Sequence, residues 1–256
     1  MPVFGLAEVG RRDPSKSYTP AKGTGPGDDV RASGSGVPRL DQDRNGPISL
    51  ADSIAMLPYP PVSIVPANQA SCEDLDAIFG QRGYPARCRC QRFKTTSEEW
   101  WHDPIPREER IFRQRSQTDC GYPDSEVTSG LVAYLDGEPV GWCAVEPRSE
   151  YQRLGQTPWK GRSEDPHDET VWAIVCFVVR VGYRGRGITY PLAKAAVEFA
   201  RSRGARAIEG YPMMPEPGKE VTWGELFVGH RHVFEEAGFR EVSHPSKRRV
   251  VMRIDF

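Results

Sequence analysis

The sequence predicts an α+β fold in which helices cover both faces of a central sheet. Residues Val171 to Val179 form a nine-residue apolar run, and a strand that is apolar on both faces belongs in the middle of a sheet. Residues 188–200 follow at once, with apolar side chains at helical spacing. Two further apolar runs, 131–135 and 139–145, are separated by Asp136-Gly137-Glu138, which is typical of a hairpin turn.

The composition is that of an ordinary soluble protein. The 256 residues carry a formal net charge of −1, and 38% of them are hydrophobic. A balanced charge creates no global field toward nucleic acid or an anionic membrane, and the longest apolar run is far shorter than the ~20 residues that span a bilayer. Arg11 and Arg12 are followed by polar residues rather than an apolar core, so we expect no signal peptide, no nucleic-acid or membrane partner and a cytoplasmic protein.

Residues 1–60 differ in amino-acid composition from the rest of the chain. They are rich in Gly, Pro, Ser and Asp, and few aliphatic residues recur with any period. Such a segment buries too little apolar surface to offset the entropy lost on ordering. We therefore predict a disordered tail over residues 1–60 and one globular domain over residues 61–256.

The first half of this domain is predicted to contain a strand and then helices. Residues 62–65 have the composition of a strand. Ser71 is a candidate helix N-cap with Asp74 three residues later, and Gly80 is a candidate C-terminal cap. The remaining predictions here are a loop over residues 81–91 and a helical region over 97–115 that is broken around Pro104 and Pro106.

The second half is predicted to alternate strands and helices. Strict alternation along the central run places Val171, Ala173, Val175, Phe177 and Val179 on one face. Pro191 is tolerated only in a first helical turn, so the next helix should start near Gly187. The remaining elements are a strand over 205–211, a helix over 230–237 that Gly238 caps, and a final strand in which Val250, Met252, Ile254 and Phe256 share a face.

The six cysteines predict reduced thiols rather than a disulfide framework or a metal site. Without an export signal, free thiols are the default, and Cys143 and Cys176 lie in strand patterns that predict burial. Cys88-Arg89-Cys90 lacks the paired spacing of structural zinc sites. We expect no metal.

The turn between the central strand and its helix is the strongest candidate for a ligand site. Its glycines permit a close backbone approach, and a helix N-terminus favours an anion. A P-loop requires Gly-Lys-Ser/Thr, which does not follow Gly187. A dinucleotide fingerprint requires a third glycine where this chain has Tyr190, although Glu209 stands at a suitable distance for a ribose-binding acid.

The turn resembles the acyl-CoA motif of the GNAT superfamily of N-acetyltransferases, Gln/Arg-x-x-Gly-x-Gly/Ala. Arg184 takes its first position, Gly187 its fourth and Thr189 its sixth, and residues 177–183 resemble the preceding strand end. Residues 234–239, Phe-Glu-Glu-Ala-Gly-Phe, resemble the family's late helix end. The resemblance covers about 195 residues, from Val62 to Phe256. It implies an α/β/α sandwich with a mixed, mostly antiparallel central sheet.

Two residues depart from the family's pattern. Thr189 replaces the usual Gly or Ala. Phe234 stands where many family members have a Tyr that protonates the departing CoA thiolate, and a phenyl ring cannot donate that proton. The sequence therefore does not assign the group that protonates the departing thiolate.

The resemblance implies acetyl transfer from acetyl-CoA, as co-substrate, to an amine by direct attack. Backbone N–H groups near the strand end would hold the pantetheine arm, and the turn would hold the pyrophosphate. The implied catalytic candidates, in order of preference, are Glu209, Tyr211 and Glu146. The implied cofactor-binding residues are Phe177, Val178, Val179, Arg184, Gly185, Arg186, Gly187, Ile188 and Thr189.

Three functions remain open from the sequence. The first is an N-acetyltransferase for a small-molecule amine, and the second is a protein lysine or N-terminal acetyltransferase. The third is a CoA-binding sensor module without catalysis, which the missing tyrosine keeps open. The sequence also leaves open whether the protein is a homodimer.

Overall fold

The computed structural model describes residues 59–154, 159–214 and 225–256. The described strands are β1 (Ser63–Pro66), β2 (Leu131–Leu135), β3 (Glu138–Pro147), β4 (Val171–Val179), β5 (Ala207–Gly210), β6 (Arg240–Ser246) and β7 (Arg249–Asp255). They form a seven-stranded sheet in the order β1-β2-β3-β4-β5-β7-β6. The β4–β5 pair is parallel and the other pairs are antiparallel. This mixed sheet confirms the predicted α+β class and the central position of β4.

The described α-helices are α1 (Cys72–Phe79), α2 (Gly83–Cys88), α3 (Ser97–Trp101), α4 (Arg107–Thr118), α5 (Thr189–Ser202) and α6 (Arg231–Glu236). The capping box predicted for α1 is present, because the Ser71 hydroxyl accepts from the Asp74 N–H at 3.0 Å and the Asp74 carboxylate accepts from the Ser71 N–H at 3.1 Å. The prediction of a loop over residues 81–91 is wrong. Helix α2 lies there, and Pro85 is tolerated in its first turn because no N–H is needed.

Two apolar layers lie on opposite faces of the sheet. One contains Ile188, Leu192 and Ala196 of the α5 region, and the other contains Leu75 and Phe79 of α1. Burial of an apolar side chain contributes about 1.5–3 kcal/mol relative to exposure. These two layers therefore fix the helices on both faces of β4.

A bulge in β4 changes which face its side chains occupy. Ala144 pairs with Cys176 whereas Val145 pairs with Ile174, so Val175 is the additional residue. Ile174 and Phe177 consequently pack in the α5 layer, whereas Cys176 packs in the α1 layer. The predicted strict alternation of faces along β4 is therefore wrong for Phe177. The bulge was not predicted because no residue pattern in β4 marks it.

The strands β4 and β5 are neighbours along only part of β4. Their register ends at Ile174 opposite Gly210, whereas β4 continues to Val179. The last residues of β4 are therefore not paired with β5. Backbone N–H and C=O groups there are available to other partners.

Two of the six cysteines are joined. Cys72 and Cys120 form a disulfide with a Cα–Cα distance of 5.1 Å, which corrects the expectation of reduced thiols throughout. Cys143 and Cys176 are free and buried, as their strand patterns predict. In the described ranges, no group of three or more His, Cys, Asp or Glu side chains is arranged to hold a metal ion.

The predicted disordered tail, residues 1–60, lies outside the described residues except for Tyr59 and Pro60. Across the part of the chain that the structure describes, no helix combines the length and the apolar character needed to cross a membrane.

Candidate functional site

A cavity of about 1400 Å³ lies at the carboxyl end of β4. Its walls are the last residues of β4, the turn that leads into α5, helix α2 and residues 226–230. Backbone groups of β4 that β5 does not pair are therefore at the same place as a large concave surface. Such a surface is the usual form of a small-molecule site.

The turn before α5 has a backbone that only glycine adopts readily. Gly182, Gly185 and Gly187 have positive φ angles of 94°, 74° and 74°. The α5 N-terminus follows at Thr189, so its first-turn N–H groups and its dipole favour an anion beside the turn. Arg184 and Arg186 are exposed. The wall is therefore suited to phosphate through its backbone.

All nine residues predicted to bind the cofactor line this single cavity. They are Phe177, Val178, Val179, Arg184, Gly185, Arg186, Gly187, Ile188 and Thr189. Tyr59 also lines it, and its ring stacks on Tyr190 with the centroids 4.4 Å apart. The described lining includes none of the predicted catalytic residues Glu209, Tyr211 and Glu146.

Glu209 is enclosed by arginines in the sheet. Its Oε1 lies 2.7 Å from Arg253 Nη1 and 3.3 Å from Arg148 Nη1, and Arg162 contacts both of its oxygens. Burial would raise the pKa of Glu209, but the hydrogen bonds and charge of Arg162, with those of Tyr211 and Arg253, lower it overall. A carboxylate held in its charged form is a weak base, so the geometry favours a structural role over the predicted catalytic one.

Tyr211 belongs to the same cluster. Its hydroxyl donates to Glu209 Oε2 at 2.8 Å, and its side chain is buried. Burial first, and then the charge of Glu209, raise the pKa of Tyr211 well above its ordinary value. The hydroxyl proton of Tyr211 is held in the hydrogen bond to the Glu209 carboxylate. This geometry also favours a structural role.

Glu146 has a different environment at the end of β3. It is buried, and Oε1 lies 2.6 Å from Lys94 Nζ. Burial raises the pKa of Glu146 and the charge of Lys94 only partly offsets this, so the pKa stays above its ordinary value. Of the three predicted catalytic residues, Glu146 therefore has the titration that best suits proton acceptance.

Three cavity residues that the sequence did not assign have proton-exchanging side chains. The Tyr84 hydroxyl accepts from Arg92 Nη1 at 2.9 Å, and burial raises the pKa of Tyr84 to about 12. His230 precedes α6, and its Nδ1 accepts from the His232 N–H at 3.3 Å. Cys90 is half-buried and lies within 3.1 Å of Trp142 Nε1. Tyr84 was missed because its segment has too few apolar positions to indicate a helix.

Residues 92–212 match the model of the acetyltransferase (GNAT) family. This part of the chain belongs to the GNAT family. The match includes β4, the glycine turn (Gly182, Gly185 and Gly187) and α5, whereas residues 234–239, the other segment that carries the sequence resemblance, lie outside it. A search of curated protein sequences finds no match.

Solved structures that align with this chain include three acetyltransferases. A GCN5-related N-acetyltransferase from Kribbella flavida is 20% identical, with 76% of this chain and 98% of that chain covered and a TM-score of 0.43. A ribosomal-protein-alanine N-acetyltransferase from Brucella melitensis is 18% identical, with 76% and 99% covered and a TM-score of 0.42. A PaiA N-acetyltransferase from Thermoplasma acidophilum in complex with coenzyme A is 13% identical, with 77% and 99% covered and a TM-score of 0.41.

Phe234, at the position where the resemblance implies a tyrosine, is fully buried. Its ring centroid lies 6.0 Å from that of Phe177 and 5.2 Å from that of Phe239. A Cβ added to Gly210 would lie 2.1 Å from the Phe234 ring. The ring thus fills the space beside β5, and in this chain the position serves packing.

Proposed function

We propose that the chain is an acyl-CoA-dependent N-acetyltransferase that moves an acetyl group from acetyl-CoA to the amine of a small molecule. The observation that carries this proposal is the single cavity lined by the end of β4, the three positive-φ glycines and the start of α5. An extended strand edge beside an anion-binding turn matches a ligand with an amide-containing arm and a pyrophosphate.

The residues of the chain have separable tasks in this reaction. Backbone N–H groups of Phe177 to Val179 would bind the pantetheine arm and polarise the thioester carbonyl. The turn at Gly185 and Gly187 would hold the phosphates through its backbone. The acetyl group then passes to the neutral amine by direct attack, and the amine loses its proton.

Proton transfer is assigned to residues other than Phe234. Glu146, whose pKa is raised but whose side chain does not line the cavity, would take the proton of the attacking amine through intervening water. Tyr84 and His230 line the cavity, and either side chain is able to protonate the departing thiolate. A bell-shaped dependence of kcat on pH is therefore expected.

The test combines a thiol-release assay and calorimetry. Release of CoA from acetyl-CoA is followed over a panel of small amines and of peptides with free lysine or N-terminal amines, while CoA binding is measured by calorimetry. Turnover with a small amine supports the proposal. Turnover only with peptides would show that the acceptor is a protein rather than a small molecule. Tight CoA binding without turnover on any acceptor would favour the sensor module.

A further inference from the structure

Three half-buried arginines near the cavity have neutral partners. Arg92 donates to the Tyr84 hydroxyl at 2.9 Å, Arg153 to the Arg92 carbonyl oxygen at 2.9 Å and Arg249 to the Tyr211 carbonyl oxygen at 3.3 Å. Among the described residues, none of the three forms an ion pair with a carboxylate, whereas the arginines around Glu209 do. A half-buried cation that forms no ion pair loses hydration free energy that no counter-charge restores.

Arg92 is the arginine whose charge acts on both of the others. Burial is the largest cause of the lowered pKa of Arg153 and of Arg249, and the charge of Arg92 is the next cause in both. The neighbouring Arg248 also lowers the pKa of Arg249, whereas the charge of Glu225, which contacts Arg248 at 2.9 Å, partly offsets this. Arg92 is thus within electrostatic range of two other cations, and their mutual repulsion favours an anion between them.

Aromatic rings hold these arginines in place. The guanidinium carbon of Arg92 lies 5.4 Å from the Phe227 ring centroid and 5.7 Å from that of Trp100. The guanidinium carbon of Arg153 lies 5.6 Å from the same Trp100 ring. Aromatic faces stabilise guanidinium groups without neutralising their charge, so the cluster keeps its capacity to bind an anion.

This cluster adjoins the cavity and is distinct from the phosphate turn. Tyr84 and Phe227, which Arg92 contacts, both line the cavity wall formed by α2 and residues 226–230. The glycine turn belongs to the wall that leads into α5. A molecule that reaches past the β4 end would therefore meet a second region suited to negative charge.

We propose that the acceptor amine carries an oxyanion, a carboxylate or a phosphate, and that Arg92, Arg153 and Arg249 bind it. Guanidinium groups match both oxyanions with paired, charge-assisted hydrogen bonds. The proposal rests on the proposed function, since it names the class of acceptor for the same cavity. It predicts that amines without an anionic group are poor substrates.

The first test measures binding of inorganic phosphate and of malonate to the CoA-saturated full chain by calorimetry. Saturation with CoA occupies the turn, so heat from a small anion reports a second site. We expect binding to the wild type and a loss of about tenfold or more in Arg92→Gln, because a charge-assisted pair is removed. Arg113→Gln is the matched control, since Arg113 pairs with Glu99 and Glu109 on α3 and α4, and it should bind as the wild type does.

The second test uses matched acceptors in the thiol-release assay: an amino acid against its amide, and phosphoethanolamine against ethanolamine. The wild type should prefer the anionic member of a pair, and Arg92→Gln should reduce this preference about tenfold through KM, with the KM for acetyl-CoA unchanged. Arg249→Gln repeats the test if thermal melting shows Arg92→Gln to be unfolded.

The outcomes separate the two proposals. Failure to bind CoA overturns the proposed function. CoA binding with no anion bound by the saturated wild type overturns the anionic acceptor alone. An equal loss in Arg113→Gln, or a raised KM for acetyl-CoA in Arg92→Gln, likewise overturns the assignment of the cluster to the acceptor.

Discussion

At the scale of single residues, Glu209 and Glu146 have the same side chain and opposite shifts in pKa. Glu209 contacts three guanidinium groups, and its pKa is lowered despite burial. Glu146 contacts one ammonium group, and burial raises its pKa. The number of cations around a buried carboxylate therefore decides which of the two is the better proton acceptor.

Glu209→Gln should lower the free energy of unfolding at neutral pH by about 3–5 kcal/mol, because buried guanidinium groups lose their fully buried counter-charge and keep only the more exposed Glu164 and Asp255. The folded-state pKa of Glu209 lies below the ordinary value of 4.5, so its ionised form stabilises the fold above that value. This contribution is lost as pH falls through the lowered folded-state pKa, and the difference between variant and wild type should shrink in acid. Urea unfolding at neutral pH and at about pH 4 or below measures it.

Glu138→Gln is the control for this prediction. Glu138 pairs with Arg180 at 3.0 Å but is largely exposed, and loss of an exposed pair costs about 0–1 kcal/mol. Equal destabilisation by the two variants would contradict the account of Glu209.

Cys90 should be the free cysteine that a thiol reagent modifies first. It is half-buried and lines the cavity, whereas Cys88, Cys143 and Cys176 are buried. Burial raises the pKa of Cys88 to about 11, which disfavours its reactive thiolate. Peptide mass spectrometry after brief alkylation should find Cys90 labelled, with the rate reduced by saturating CoA. Labelling of Cys143 before Cys90, or no protection by CoA, would count against this geometry of the cavity.

At the scale of elements, features that depend on neighbouring residues were predicted well from the sequence. Contacts between residues far apart in the chain were not predicted. The capping box at Ser71, the Asp136-Gly137 turn and the β4 bounds follow from neighbouring residues, and all three are present. The β4 bulge and the partners of Glu209 depend on residues far apart in the chain. The same limit applies to the arginine cluster, whose members Arg92, Arg153 and Arg249 meet only through the fold.

Gly210→Ala should destabilise the β5 region by about 1–3 kcal/mol, since its added Cβ meets a packed core. That Cβ would lie 2.1 Å from the Phe234 ring. Phe234→Leu in the same chain should recover part of the loss, because the smaller side chain gives space. A double-mutant cycle by thermal or urea unfolding measures this coupling. Strictly additive losses in the free energy of unfolding would show that the Phe234 ring is not what excludes a side chain at Gly210.

At the scale of the whole molecule, the Cys72–Cys120 disulfide joins α1 to the segment after α4, across a sequence separation of 48 residues. Closure of a loop of this length is expected to stabilise a fold by about 2–4 kcal/mol. Reduction should lower the free energy of unfolding by that amount in the wild type. A Cys72→Ser/Cys120→Ser variant should show no further response to reductant, and an equal response would contradict the pairing.

The central claim is that the cavity at the end of β4 binds acyl-CoA through the glycine turn. Calorimetry with CoA on the wild type, Gly187→Val and Gly137→Val tests it most directly. Both glycines have positive φ, 74° and 81°, but Gly137 lies in the β2–β3 turn and Gly187 lines the cavity. We predict that Gly137→Val binds CoA as the wild type does while Gly187→Val, still folded, loses binding. Unchanged affinity in Gly187→Val would contradict the claim.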